Sequence, residues 1–597
     1  MPESKMVKND PEIRLLRRFV AFFEINVYFR HLLFLVLAIL TIALSGYYFG
    51  TFDQSIHIPF VKKDVFPALY PGDPFFELRK THFSYFWYIF HPLYRAGVLE
   101  IGVFLAHVVA TYLTFWAIWR LSLTLFKNTT AAFLSVIVFV FPHLGFAAFP
   151  IFEFSLLNRT FVFPFLLFSI EWYLKKRYVL SFLMLGILYN FHALSVHFVL
   201  FMYGADIMFR YLRGKWREMP LFKVGAGFAL FVLCALPVLL WKFGKSPLDW
   251  SLRPEWFQIL SNSLMYTVFF PLSRSPNVLL LTLSGLSACL LYFLIKKRST
   301  LSNHTETVTH FMYAGLVLIC LEVVVSFWLP VTLLVQFQIV RIGIFILLFG
   351  YLFFIRSLVR DLEEGSVPYS VFSLQFFSVL LSPTPIIPIV IEGLRSFFSR
   401  KIMLVSGWVL VIAGFVFFAW YSLLTDVWRP GIQIFPQKTD WYAVQIWAKE
   451  NTPRDALFLT PPERWWLFEP DWRVFSERST LATLSEVLEF AFTPEYADVW
   501  KEKFDAVAPG ARSKFQGDVL QSRELTRVAY EGLSDTQIAS LALRYHISYV
   551  VVVRSRVLPF PLVYQNNSFS VYKVTSDLAG VYQRAPLTRI KIFPTIQ

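Results

Sequence analysis

The sequence predicts a polytopic α-helical membrane protein that carries a soluble α/β domain in its C-terminal part. Three observations predict it: 56% hydrophobic against 16% charged residues over 597 positions, long apolar runs separated by short basic clusters, and a change of pattern beyond Leu424. A soluble domain carries roughly 25% charged residues, so lipid is the main solvent for this chain. The formal charge of +15 sits in Lys and Arg clusters between apolar segments, as cytoplasmic anchors do, which argues against a nucleic-acid partner. The three cysteines, Cys234, Cys289 and Cys320, lie inside apolar runs, so neither a disulfide framework nor a cysteine zinc site is available.

Residues 1–30 read as a cytoplasmic segment with Arg14, Arg17 and Arg18, and no small-residue cleavage site follows. The first apolar run is therefore a retained anchor. Residues 31–424 form the membrane domain, with spans expected at 32–50, 98–119, 130–150, 158–174, 178–194, 196–210, 223–242, 277–295, 309–329, 337–356 and 402–424, each near the ~20 residues a bilayer needs. With the N-terminus cytoplasmic, basic clusters such as Lys175–Arg177, Arg210–Arg217 and Lys296–Arg298 all fall on the cytoplasmic side. The stretch 369–394 is broken by Pro383, Pro385 and Pro388 and reads as two short segments, crossing or re-entrant, giving about 11–13 spans in all.

Residues 425–597 read as the exported α/β domain. A helix is expected near 440–450, strands at "ALFLT" and "RVFSERS", a helical region up to about Tyr545, a buried strand at "ISYVVVV", and a hairpin in "LVYQNNSFSVYKV" turning at Gln565–Ser568. No glycine-rich phosphate loop opens any of its helices.

Ionisable groups at the end of a membrane helix are costly and tend to be functional. The long exported loop 51–95 holds Asp53 just beyond the first span, with His57, Asp64 and Asp73 after it. Asp53 is positioned as a general base, the alternative being an interfacial carboxylate near Lys62 or Lys63. Asp73 lies in the turn "YPGDPFF" and is more readily a turn former than a base, with Asp64 standing between Asp53 and Asp73 as a candidate catalytic acid. Asn158 and Arg159 enter the fourth span at the same level, His192 and His197 lie between the fifth and sixth, and Gln338 and Arg341 top the tenth. Arg341 has no acid nearby in sequence; it either binds a phosphate or carboxylate or snorkels to headgroups. The i,i+5 spacing of His192 and His197 suits interhelical hydrogen bonding better than a zinc pair.

This layout resembles the GT-C superfamily of membrane glycosyltransferases. The resemblance is carried by the long first exported loop with an acid after helix 1, the helical bundle and the exported C-terminal domain. The stretches "DQSIHIPFVKKDVFPALYPGDPF", "IWAKENTPRDALFLTPP" and "RVFSERS" look similar to a bacterial branch of multi-spanning proteins. The resemblance implies a bacterial inner-membrane enzyme with a periplasmic C-terminal domain. Such an enzyme transfers a hexosyl or pentosyl group from a polyprenyl-phosphate-linked sugar to an exported glycan, lipid or protein. It also implies a base at Asp53 and a lipid-phosphate contact at Arg341. "FDQS" offers one acid followed by an amide, so no acidic pair supports a divalent metal and no cofactor is expected. Two other functions fit the same residues: a non-catalytic envelope assembly protein, and a transporter of lipid-linked substrates, for which broken helices would be the signature.

Overall fold

The computed structural model describes residues 11–144, 149–246, 248–263, 276–298, 302–436 and 438–574. Seven of its helices are long and apolar enough to cross a membrane: Val27–Ser45, Leu99–Phe126, Tyr178–Leu212, Leu221–Lys245, Thr305–Phe327, the interrupted run Thr332–Glu363, and Arg400–Leu424. Shorter apolar helices, including Thr129–Val138, Asn158–Leu174 and Tyr369–Leu381, complete the bundle. Outward faces are apolar, as at Val405, Val409, Ile412 and Val416, while inward faces join one large core. The basic clusters gather at one end, where Lys215 and Arg213 reach Glu306 at 3.0 and 3.1 Å.

The helix Tyr178–Leu212 is not one rod. Ser181 Oγ lies 2.9 Å from the Tyr203 hydroxyl, although 22 residues of straight helix would separate them by about 33 Å. The chain reverses at His192 (φ −156°, ψ 84°), and the two arms pack against each other as a helical hairpin. They correspond to the expected segments 178–194 and 196–210. The proline-rich stretch makes a second, shorter hairpin, Tyr369–Leu381 with Ile386–Phe397, its arms joined by the Gln375 amide donating to Glu392.

Three expectations are corrected. Among the described residues of 130–150, the helix is Thr129–Val138, and an isolated bridge, Leu144 to Pro150, follows. The span expected at 337–356 begins as a helix only at Gly343, because Gln338 adopts φ 45° and Ile339–Ile342 form a 3-10 turn. "RVFSERS" becomes strand only at its last residue, Ser479. Asp471 caps a short helix, Trp472–Ser476, by accepting from Arg473 N, and Glu477 ends it in the left-handed region.

Strand β1 (Tyr47–Tyr48) pairs in parallel with β2 (Ile432–Gln433), tying the end of the first membrane helix to the last. Beyond it lies a five-stranded mixed sheet of β3 (Leu457–Leu459), β4 (Ser479–Thr480), β5 (Tyr549–Val553), β6 (Leu562–Gln565) and β7 (Phe569–Lys573), in the order β4-β3-β5-β7-β6. β3 runs parallel to β4 and β5, and β7 antiparallel to β5 and β6. The β-branched run of β5 is covered on both faces: Val551 packs with Trp441 and Trp472, Val550 and Val552 with Trp465 and Ile538. Residues 575–597 of the expected domain lie outside the described residues. This region does not fold against itself alone. Ile56, Phe60, Phe75 and Leu78 of the first loop share one core with Trp465, Leu484 and Val487.

Candidate functional site

A cavity of about 400 Å³ lies where the interrupted membrane helices meet the first loop and the mixed sheet region. Asp53 reaches it because Phe52 takes φ 49° and turns the chain into the helix Gln54–Val65. That turn is held from the C-terminal region: Phe52 N donates to Trp466 O (3.1 Å) and Trp465 Nε1 to Phe52 O (2.9 Å). Gln54 bridges Gly50 N and Leu156 O, joining the loop to the segment before Asn158. The Asp53 side chain does not cap its own helix and meets Arg159 Nη1 at 2.9 Å. Arg159 Nε also donates to Glu153 at 2.6 Å, so one guanidinium serves two carboxylates.

The hairpin tip forms the opposite wall. His192 Nδ1 lies 2.7 Å from Ser195 Oγ and 3.3 Å from Ser195 N, in the position of an N-cap for the second arm. Asn158 Nδ2 and Ser84 Oγ both donate towards this tip, the latter to Phe191 O at 2.7 Å. His197 meets the Tyr189 hydroxyl across the hairpin at 3.2 Å, the bland interhelical bond. The 3-10 turn after Gln338 brings in Arg341. Its guanidinium sits 4.5 Å from the Phe149 ring, and among the described residues it has no hydrogen bond or ion pair; Nε is buried and unpaired.

The third wall carries a pair that sequence reasoning did not select. His82 Nε2 contacts Glu489 Oε2, and both face the cavity. Burial raises the Glu489 carboxyl, but the adjacent His82 and then His57 outweigh it and hold it below the usual range. His57 stacks on Trp87 (5.2 Å between centroids), and burial pushes its imidazole down to about 3, so it stays neutral. Glu489 comes from "SEVLEFAF", which reads as ordinary amphipathic helix, and no spacing links it to a histidine 407 residues earlier.

Asp53, His57, Asn158, Arg159, His192, His197, Gln338 and Arg341 thus line one cavity. Asp64 and Asp73 do not. Asp64 lies 11 residues beyond Asp53 on the same helix, about 16 Å along it, and is bound by Arg79 at 3.0 Å. Asp73 is buried against Arg473, whose Nε donates to it at 2.8 Å. Both are tied up in ion pairs outside the cavity, so neither belongs with the candidate base. Among the described residues no group of three His, Cys, Asp or Glu side chains is arranged to hold a metal ion. A wider groove of about 720 Å³ lies further along the first loop, but its buried pair is satisfied: Lys62 donates to Glu477 at 2.9 Å, and the exposed Lys449 also reaches it at 2.8 Å.

Residues 439–507 match a family model described as a domain of unknown function, DUF6798. No curated protein matches the chain. The matched segment contributes Glu489 to the cavity and Arg473 to the first loop, so it is the part of the C-terminal region that completes the site.

Proposed function

We propose that this is a GT-C-like membrane glycosyltransferase of the bacterial inner membrane, with residues 425–597 on the periplasmic side, and that the cavity binds the phosphate of a polyprenyl-phosphate-linked sugar. The observation that carries the reading is Arg341. A buried guanidinium without an anion is costly, and its planar fork matches a phosphate. Arg159 adds a second cation beside it, already neutralised by Asp53 and Glu153. The apolar wall made by Leu194 of the hairpin and by Val238 and Leu239 of the helix Leu221–Lys245 suits a prenyl chain entering from lipid. Asp53 and His82 both open on the same space, where an exported glycan, lipid or protein acceptor would need a base.

The test is thermal unfolding of the full chain in detergent with and without undecaprenyl phosphate, for the wild type and Arg341→Ala. A ligand bound only by the folded state at one hundred times its Kd stabilises by about 2.7 kcal/mol. The reading expects a raised midpoint in the wild type that is lost in the variant. Absence of a shift with undecaprenyl phosphate in the wild type would overturn it.

One observation favours a transporter of lipid-linked substrates as a second reading. The breaks at His192 and Gln338 both line the cavity, and interrupted helices are the mark of transporter sites. Movement of a labelled polyprenyl phosphate across proteoliposomes, without change in its chemistry, would favour it over transfer.

A further inference from the structure

We infer that His82, oriented by Glu489, is the group that takes the acceptor's proton, with Asp53 instead holding Arg159 in place. The inference rests on the transferase reading above. Glu489 is 6% exposed, and among the described residues its carboxylate contacts one polar side chain, the imidazole of His82. A buried carboxylate on one imidazole nitrogen fixes the tautomer: the proton sits on Nε2 and points at Glu489, leaving Nδ1 as the acceptor. Nδ1 has no hydrogen-bond partner among the described residues, and it is not among the buried polar atoms left unpaired. The nitrogen is therefore not sealed in the interior, and His82 lines the cavity. This is the arrangement of an activated base and its orienting acid.

Asp53 is less suited to the same task. Protonating it would leave the buried Arg159 with Glu153 as its one remaining counter-charge. His57, edge-on to His82 at 5.3 Å, stays neutral and so places no second cation beside the imidazolium that forms. Phe60 and Phe492 also pack on the ring, and Arg79, neutralised by Asp64, donates from Nη1 to the His82 carbonyl at 3.0 Å.

The step balances without a further reactant. The acceptor oxygen bonds to the anomeric carbon as that carbon's bond to the phosphate oxygen breaks. The electron pair leaves with the lipid phosphate, which Arg341 receives. The acceptor's proton passes to His82 Nδ1 and then to solvent, while Glu489 stabilises the imidazolium.

The experiment measures release of undecaprenyl phosphate from undecaprenyl phosphohexoses and phosphopentoses, with water as acceptor, by the full-length protein in detergent. His82→Gly should lower the rate by about 100-fold or more, the usual worth of a general base, and added imidazole should restore part of it. Glu489→Gln should lower the rate in the same direction, with the undecaprenyl phosphate melting shift retained in both variants. Rescue by imidazole is the readout that a structural tie between loop and domain would not give. A wild-type rate with His82→Gly variants within threefold of it overturns this assignment and leaves the transferase reading standing. Loss in His82→Gly that imidazole fails to restore, with the melting shift also lost, assigns the pair to structure and overturns it as well. No release by the wild type from any donor overturns both readings together.

Discussion

Asp73→Asn tests how the first loop is held to the mixed sheet region. Arg473 is 1% exposed and donates from Nε and Nη2 to the two Asp73 oxygens at 2.8 and 3.3 Å, while Nη2 also reaches Glu486 at 3.0 Å. The guanidinium packs 4.4 Å from the Phe75 ring, which seals the pair from water. At an effective dielectric of ~20, opposite charges about 4 Å apart attract by about 4 kcal/mol, and breaking one partner of a buried pair costs about 3–5 kcal/mol. Asparagine keeps the volume and still caps Phe75 N, so the loss isolates the charge. Glu486 remains as a second partner, although burial raises its carboxyl and weakens it as a substitute. The expected cost is about 3 kcal/mol in urea unfolding, followed by tryptophan fluorescence from the buried Trp465, Trp472 and Trp500 of this region. Arg473→Met alone should cost as much, and the double variant less than the sum of the two. A midpoint for Asp73→Asn within about 0.5 kcal/mol of the wild type, at unchanged slope, would refute the view that this ion pair locks loop and sheet together.

Arg341→Met should leave the unliganded protein as stable as the wild type or more so, by up to about 1–3 kcal/mol, since it removes a buried donor without a partner. A destabilised variant in the same melts would mean that the guanidinium has a structural partner. Glu463 is 6% exposed, and burial pushes its carboxyl up to about 7. Its neutral form suits the fold, so this contribution is complete below about pH 4.5 and is lost as pH rises to about 7, roughly 3 kcal/mol in all. Glu463→Gln should flatten the fall in urea stability over that window; an unchanged slope counts against it. Gly186→Val should destabilise by about 1–3 kcal/mol, because a Cβ there would come within 2.7 Å of Phe231 O in the neighbouring helix. Equal melting midpoints for Gly186→Val and wild type would remove the close helix contact from the account.

The membrane helices were legible because lipid forces their composition. Long apolar runs closed by basic clusters mark their ends, and the structure gives helices over most of those runs. The gathering of Asp53, Arg159, His192 and Arg341 was also legible, since each lies at the same end of its helix and a bundle brings equal ends together. Partners across the chain were not. Nothing in "YPGDPFF" points to Arg473, 400 residues later, and nothing in "THFSYFW" points to Glu489. "RVFSERS" looked like a strand through its β-branched and small residues. The Asp471 N-cap just before Trp472 is the local signal that decides for a helical turn. The reversal near His192 falls where the expected spans 178–194 and 196–210 meet, whereas the break at Gln338 lies inside the span expected at 337–356 and no glycine or proline announces it.

Those breaks explain why the polar residues sit where they do. In lipid, backbone that leaves the helix must find other partners, so it is tolerated only inside protein or beside a water-filled cavity. His192 supplies its own cap through Ser195, and Gln338, 2% exposed with φ 45°, starts the 3-10 turn that carries Arg341. Phe52, with φ 49°, is the third irregular residue on the same space, and its carbonyl and amide are held by Trp465 and Trp466 from the C-terminal region. Non-glycine residues at the positive φ of Gln338 and Phe52 cost about 1–3 kcal/mol each and persist only where surrounding structure fixes them. The cavity and its charged groups are thus one feature. Where three segments stop being regular, their side chains converge, and one of the three is held from outside the membrane helices. It follows that Trp465→Leu, which keeps an apolar filling but removes the donor to Phe52 O, should release Asp53 from Arg159 and weaken undecaprenyl phosphate binding without touching Arg341. An unaltered melting shift with undecaprenyl phosphate in Trp465→Leu would mean that the membrane helices form the site without the C-terminal region.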